Sequence, residues 1–293
     1  MRANRGSRRI VATFSIVAFD PETDSLGVAV QSKFLAVGAL VPHARAGVGA
    51  VATQALANVT YGTRGLELMA QGTTADETIE FLTEEDEQKT QRQVGIVDAG
   101  GRAAAFTGDD CHDWAGSLTG EHYAIQGNIL AGQEVVEAMA SAYEASDDDL
   151  AGRLLAALEA GQEAGGDPRG KQSAALLVVR EGGGYGGGND RLVDLRVDDH
   201  PEPIKELARI RDLHTLYFGE TKPGDVVAVE GNVRDEVATI LRRLGYLDGG
   251  GPDDREALLD ALTDFLHIEN FEEREQERGY LDLEVLRFMR SKR

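Results

Sequence analysis

The chain has 293 residues, an apolar share of 42% and a formal net charge of −21. That size suffices for one large domain, or a large and a small one, with a buried core. The charge disfavours nucleic acid and anionic membranes as partners, because phosphates are repelled. A single cysteine, Cys111, excludes an internal disulfide and leaves a reducing cytoplasm as the default location.

Residues 1–12 are basic, and Ser7-Arg8-Arg9 before the apolar stretch Ile10–Phe19 has the outline of a twin-arginine export signal. The stretch is short, contains Ser15 and runs into Asp20-Pro21-Glu22 without a small-residue cleavage site. A cytoplasmic strand behind a leader is therefore the stronger reading. No stretch approaches membrane-spanning length.

Thr13–Ala18 and Gly27–Lys33 alternate as two strands able to pair as a hairpin. Phe14, Ile16 and Ala18 form the more apolar face of the first, and Val28, Val30 and Ser32 that of the second. Matching these faces pairs Phe14 with Ser32 and predicts Thr13 opposite Lys33. Gly47–Ala55 reads as a buried strand of small residues, followed by helices near 62–71 and 75–85. Thr74-Ala75-Asp76-Glu77 supplies a capping box for the second helix. Segments 93–98 and 102–107 flank Ala99-Gly100-Gly101 as a hairpin, and 122–128 adds a strand. Helices at 133–143 and 150–162 precede strands at 173–180 and 191–197 and a helix at 202–217. Strands in bursts separated by helix pairs predict helices on the outer faces of two packed, mostly antiparallel sheets. Glu220–Asp225 carries turn formers and marks a boundary between domains 11–219 and 220–293. Beyond it, stripes at Val233–Leu244, Leu258–Phe265 and Leu283–Met289 predict a small all-α three-helix domain.

A threonine hydroxyl beside an ammonium at the start of a strand is the arrangement of N-terminal nucleophile (Ntn) hydrolases. There the α-amino group, ordinarily of pKa about 7.7–8.0, takes the hydroxyl proton, so it must be free rather than peptide-linked. Lys33 would favour the neutral amine and orient the hydroxyl. The bland alternative is a β-branched strand residue and an edge-strand lysine. Gln54 and Asn128, each at a strand end, are candidate amide donors to an oxyanion or substrate, although such amides often serve neighbouring backbone. Asp167, Arg169 and Gln172 sit in a loop before a strand. Arg169 could clamp a carboxylate through two parallel hydrogen bonds, and a solvent-exposed turn explains the loop equally well.

The glycines of Gly182–Gly188 match dinucleotide spacing, but a strand rather than a helix follows, which points to a flexible hairpin loop. Asp109, Asp110, Cys111, His112 and Asp113 are metal-capable, yet adjacent residues diverge, and the remaining histidines show no zinc spacing. No metal and no organic cofactor is expected.

Thr13–Ala18, Gly27–Gly38, Gly47–Gln54, Gly165–Ala175 and Asn189–His200 together resemble one uncharacterised Ntn-hydrolase-like family, catalogued as a domain of unknown function. The resemblance covers residues 13–218 and implies an αββα sandwich. Members of that family begin at an initiator methionine followed by this threonine, whereas twelve residues precede Thr13 here. Activity therefore demands cleavage between Ala12 and Thr13. Further on, Leu241–Leu247, Ala261-Leu262, Phe265, Asp282 and Val285-Leu286 resemble a peptidoglycan-binding three-helix domain, with a generic docking or dimerisation bundle as the alternative.

These readings lead to an amidohydrolase acting on a small-molecule or short-peptide amide, with Thr13 and Lys33 catalytic. The rival is a non-catalytic ligand-binding or assembly protein on the same scaffold. Exposed sheet edges are compatible with a homodimer.

Overall fold

A computed structural model describes residues 13–112, 114–248 and 254–292. The leader, its export-signal outline and Asp113 lie outside the described residues. The described chain divides into two compact units, one reaching residue 210 and one starting at residue 211.

In the first unit, β1 (Thr13–Asp20) and β2 (Ser25–Ser32) are followed by β3 (Pro42–Arg45), β4 (Gly49–Ala55), α1 (Thr60–Ala70), α2 (Ala75–Glu84), β5 (Arg92–Asp98) and β6 (Ala103–Thr107). Then come β7 (Gly116–Gly120), β8 (Tyr123–Asn128), α3 (Glu134–Ala145), α4 (Leu150–Glu163), β9 (Ser173–Val179) and β10 (Arg191–Val197). The strands form a six-stranded sheet in the order β10-β9-β2-β1-β8-β7 and a four-stranded sheet β3-β4-β5-β6. Every pairing in both is antiparallel.

Three apolar clusters account for the packing. Val17, Val28, Val30, Ala50, Ala52 and Val97 meet between the sheets. Phe14, Ile16, Ile125 and Leu176 lie under Met139 of α3 and Leu154 and Leu158 of α4. Val51, Val94 and Ile96 lie under Tyr61 and Met69 of α1 and Ile79 and Leu82 of α2. The central strands are thus buried on both faces, and burial of this apolar area is the main force ordering them. The predicted capping box forms: the Thr74 hydroxyl accepts from the Glu77 N–H at 3.3 Å, and Glu77 Oε2 accepts from the Thr74 N–H at 2.9 Å.

Two strands escape the sequence pattern. β3 and β7 are each an edge strand of their sheet, and Pro42-His43-Ala44-Arg45 and Gly116-Ser117-Leu118-Thr119-Gly120 lack the β-branched runs that identify central strands.

The register of the first hairpin differs from the expectation by one residue. Thr13 stands opposite Ser32, Phe14 opposite Gln31 and Ile16 opposite Ala29, so Lys33 is not the partner of Thr13. The physical reason is the double burial of β1 and β2. Phe14 and Ile16 face α4 while Val28 and Val30 face the other sheet. Matching the two most apolar faces is valid only where one face meets water.

The helix α5 (Pro203–Phe218) contributes to both units: Ile204 and Leu207 belong to the core of the first, Leu216 and Tyr217 to that of the second. The second unit then holds β11 (Val226–Ala228), α6 (Gly231–Leu244), α7 (Arg255–Ile268), β12 (Tyr280–Asp282) and α8 (Leu283–Ser291). It is helical but not all-α, because β11 and β12 pair as a two-stranded antiparallel sheet. Asp282 explains the departure. To cap α8 it takes extended backbone, φ −67° and ψ 134°, while its carboxylate accepts the N–H groups of Glu284 and Val285 at 2.6 and 3.3 Å. The same carboxylate, fully buried, receives Arg274 at 2.8 Å and the Thr221 hydroxyl at 2.5 Å. Arg274 also donates to the carbonyls of Thr215 and Leu216. Among the described residues no helix is long and apolar enough to cross a membrane.

Candidate functional site

Pairing places four short polar side chains in one row across the large sheet: Ser173 of β9, Ser32 of β2, Thr13 of β1 and Asn128 of β8. Alternation points them to the side of Val17, Val28 and Val30, into the space between the sheets. One row inward stand Ser15 and Gln126, paired across β1 and β8. The small sheet answers with Gln54, Gln93 and Thr107, paired across β4, β5 and β6. One end of an otherwise apolar interlayer is therefore polar, and none of these side chains is ionisable in the ordinary pH range.

The Thr13 hydroxyl lies 3.0 Å from that of Ser32. Gln54 Nε2 donates to the Thr13 carbonyl (3.2 Å), to Gln93 Oε1 (2.8 Å) and to the Gln126 carbonyl (3.3 Å). Its Oε1 accepts the Ser15 hydroxyl at 2.6 Å, and Ser15 in turn accepts from Gln126 Nε2 at 2.5 Å. Asn128 Nδ2 donates to Gln93 Oε1 at 3.0 Å. Gln93 Nε2 reaches Thr107, Gly116 and Gly127 at 2.9, 3.1 and 2.8 Å. Thr13, Ser15, Ser32, Gln54, Gln93, Gln126 and Asn128 are each at most 1% exposed, so these bonds replace water that the groups lost on folding, although Gln126 Oε1 is left without a partner. Gly95 is required in the middle of this network. A Cβ at that position would sit 1.9 Å from Gln126 Oε1.

The backbone leaving this end is strained. Ala36 and Ile129, in the loops that follow β2 and β8, hold φ of 54° and 52°, and Ala55, the last residue of β4, holds 67°. A left-handed β-branched residue such as Ile129 is rare, and strain of this kind concentrates where geometry serves function. The loops are tied down. Ser173 donates to the Phe34 carbonyl at 2.5 Å and accepts from the Val37 N–H at 3.0 Å. Arg92, 8% exposed, donates to the Leu56 carbonyl at 2.5 Å, to Gln88 at 2.9 Å and to Asp86 at 2.9 Å. Asp86 also accepts from Tyr61 and Asn58 at 3.0 and 3.2 Å. The Arg92 guanidinium holds the Asp86 carboxyl far below the usual carboxylate range, while burial and Asp86 push the Tyr61 phenol up.

A family model described as "Family of unknown function (DUF1028)" matches residues 13–207, about two-thirds of the chain. The chain belongs to the DUF1028 family. The crystal structure of protein SPO2555 from Silicibacter pomeroyi, assigned to DUF1028, shares 33% identity at a TM-score of 0.64 and covers 76% of this chain and 89% of its own. Residues 217–289 match a model described as "Putative peptidoglycan binding domain". No curated protein matches.

Within the DUF1028 unit the structure brings Thr13, Gln54 and Asn128 together and places Lys33, Asp167, Arg169 and the Gln172 side chain elsewhere. Lys33 follows the end of β2, is exposed, and its ammonium donates to the Lys171 carbonyl at 3.4 Å. The hydroxyl of Ser32, not that ammonium, accompanies Thr13. Arg169 does not present an open fork. Its Nε and a terminal nitrogen grip the buried Asp167 carboxylate at 3.1 and 2.9 Å, making an internal clamp of the two residues. Gln172 touches the site through its backbone, whose N–H bonds the Ser32 carbonyl at 3.1 Å, while its side chain reaches Asp199 at 3.0 Å.

Ser15, Ser32, Gln93 and Gln126 were missed by sequence reasoning. The available signal was a polar residue repeating at period two within strands otherwise apolar, as in Thr13-Phe14-Ser15 and Gln126-Gly127-Asn128. Cys111 is no nucleophile candidate, since burial pushes its thiol up. Among the described residues no three His, Cys, Asp or Glu side chains group to hold a metal ion.

Proposed function

We propose that the DUF1028 unit is an Ntn-type amidohydrolase of αββα architecture, working from Thr13 once residues 1–12 are removed. One observation carries the reading: a threonine hydroxyl at the N-terminal end of a central strand, aimed between two sheets and 3.0 Å from a second hydroxyl. Thr13 Oγ1 attacks the amide carbonyl carbon and its proton passes to the freed α-amine, which returns it to the departing amine. Ser32 orients the nucleophile. Asn128, with one N–H used on Gln93, offers the other to the oxyanion, and Gln54 holds the Thr13 carbonyl. Water then releases the acyl group as an acid. The wholly uncharged side-chain set favours a neutral amide over an ionic substrate.

A binding or assembly role is the second reading, favoured by Thr13 being 1% exposed with its hydroxyl already paired. Intact mass of the purified chain, followed by a threonine-directed electrophile, separates the two. A chain starting at Thr13 that carries the adduct on that residue supports the hydrolase, whereas retained residues 1–12 and no adduct refute it. The description of the C-terminal match makes short wall-type peptides the first substrates to screen.

A further inference from the structure

Gln31 is fully buried, and neither its Oε1 nor its Nε2 has a hydrogen-bond partner. It stands in β2 between Phe14 of β1 and Ala174 of β9, on the face that α3 and α4 cover. A primary amide offers two N–H donors and an acceptor oxygen. Leaving all of them unpaired inside a core is costly against the small net stability of a domain, so such groups are met by protein or by ordered water.

A second orphan belongs to the helix above. Gln162 Oε1 is also buried without a partner. Gln162 lies four residues after Leu158 and seven after Leu155, on the buried stripe of α4. The adjacent Gly161 rests on Phe14, since a Cβ there would lie 3.4 Å from Phe14 Cε2. The last turn of α4 therefore covers the strand position beside Gln31. Phe14 and Ala174, which flank Gln31, are apolar, so an ion would be buried there without a counter-charge.

We infer that ordered water fills this position, accepting from Gln31 Nε2 and donating to Gln31 Oε1 and Gln162 Oε1, and so ties β2 to the end of α4. Water is the guest that both donates and accepts, and buried waters commonly make about three such bonds. The tie reaches the residue preceding Ser32, on the opposite face of the strand from the hydroxyl row, and it stands whether or not the hydrolase reading does.

Crystals of the full chain, at a resolution that shows ordered solvent, test it directly. Density within hydrogen-bond distance of both amide atoms of Gln31 is the expected result. An empty space, or a direct bond from Gln31 to a protein group, overturns it. The variant Gln31→Leu gives an independent sign test. If water satisfies the amide, the substitution removes real bonds and the thermal midpoint drops; if the amide is unpaired, removing it relieves a penalty and the midpoint rises. Should the variant not fold, the density in the wild-type crystals decides.

Discussion

The chain of bonds from Gln126 through Ser15 to Gln54 makes a quantitative prediction. Replacing Ser15 by Ala strands Gln126 Nε2 and Gln54 Oε1, two buried groups that lose the 2.5 and 2.6 Å bonds. Each orphaned group costs about 1–3 kcal/mol, so the single substitution is expected to cost about 2–6 kcal/mol. Replacing Gln54 by Leu takes the acceptor from the Ser15 hydroxyl, which keeps its bond from Gln126, and leaves the Gln93 oxygen with Asn128 alone. In the double variant the Ser15–Gln54 bond is removed from both sides, and the total should fall short of the sum by about 1–2 kcal/mol. Urea unfolding followed by tryptophan fluorescence isolates the right unit, because the chain's one tryptophan is Trp114, packed at the edge of the core of the first unit. Additivity to within about 0.5 kcal/mol would mean that the two side chains do not act as one network, and the account of the polar interlayer would be wrong.

Two further outcomes follow from buried charge and burial. Arg274→Met leaves the fully buried Asp282 carboxylate without its 2.8 Å partner, and should destabilise the second unit by about 3–5 kcal/mol. Adding Asp282→Asn, which keeps the helix cap, should recover much of that loss in thermal unfolding followed by circular dichroism. Burial alone would raise the Asp282 carboxyl, but the bonds from Thr221, Arg274 and the Glu284 N–H hold it below 3.8. Its contribution is therefore present above that pH and lost as pH falls through the lowered folded value. Burial lowers His43 below 6.5, against the opposing bond to the Leu40 carbonyl at 3.2 Å. The unfolded chain then binds more protons just below pH 6.5, so the stability of the first unit should decline as pH falls from 7 toward 5. His43→Gln should flatten that slope, and an unchanged slope would rule out His43 as its source.

Local features were legible where one physical rule acted alone. The Thr74–Glu77 capping box needs only residues three apart in the chain, and it forms as read. The buried strands and the amphipathic stripes of α4, α6, α7 and α8 follow from composition and period. Arg169 shows where such reading stops. A guanidinium in a polar loop looks available, yet Asp167 two residues earlier is carried inward and takes it up. Whether a charged group is free depends on which neighbour is buried, and spacing does not encode that.

By itself, the order of residues determined that β1 and β2 pair as a hairpin, that Thr13 opens the first of them, and that Gln54 and Asn128 end strands of their own. Only the tertiary structure decided that Ser32 rather than Lys33 meets Thr13, and that glutamines from the second sheet close over the pair. The reason is that helices cover one face of the hairpin and a sheet covers the other. With water on neither side, alternation no longer distinguishes inside from outside, and register passes to the fit of both layers at once.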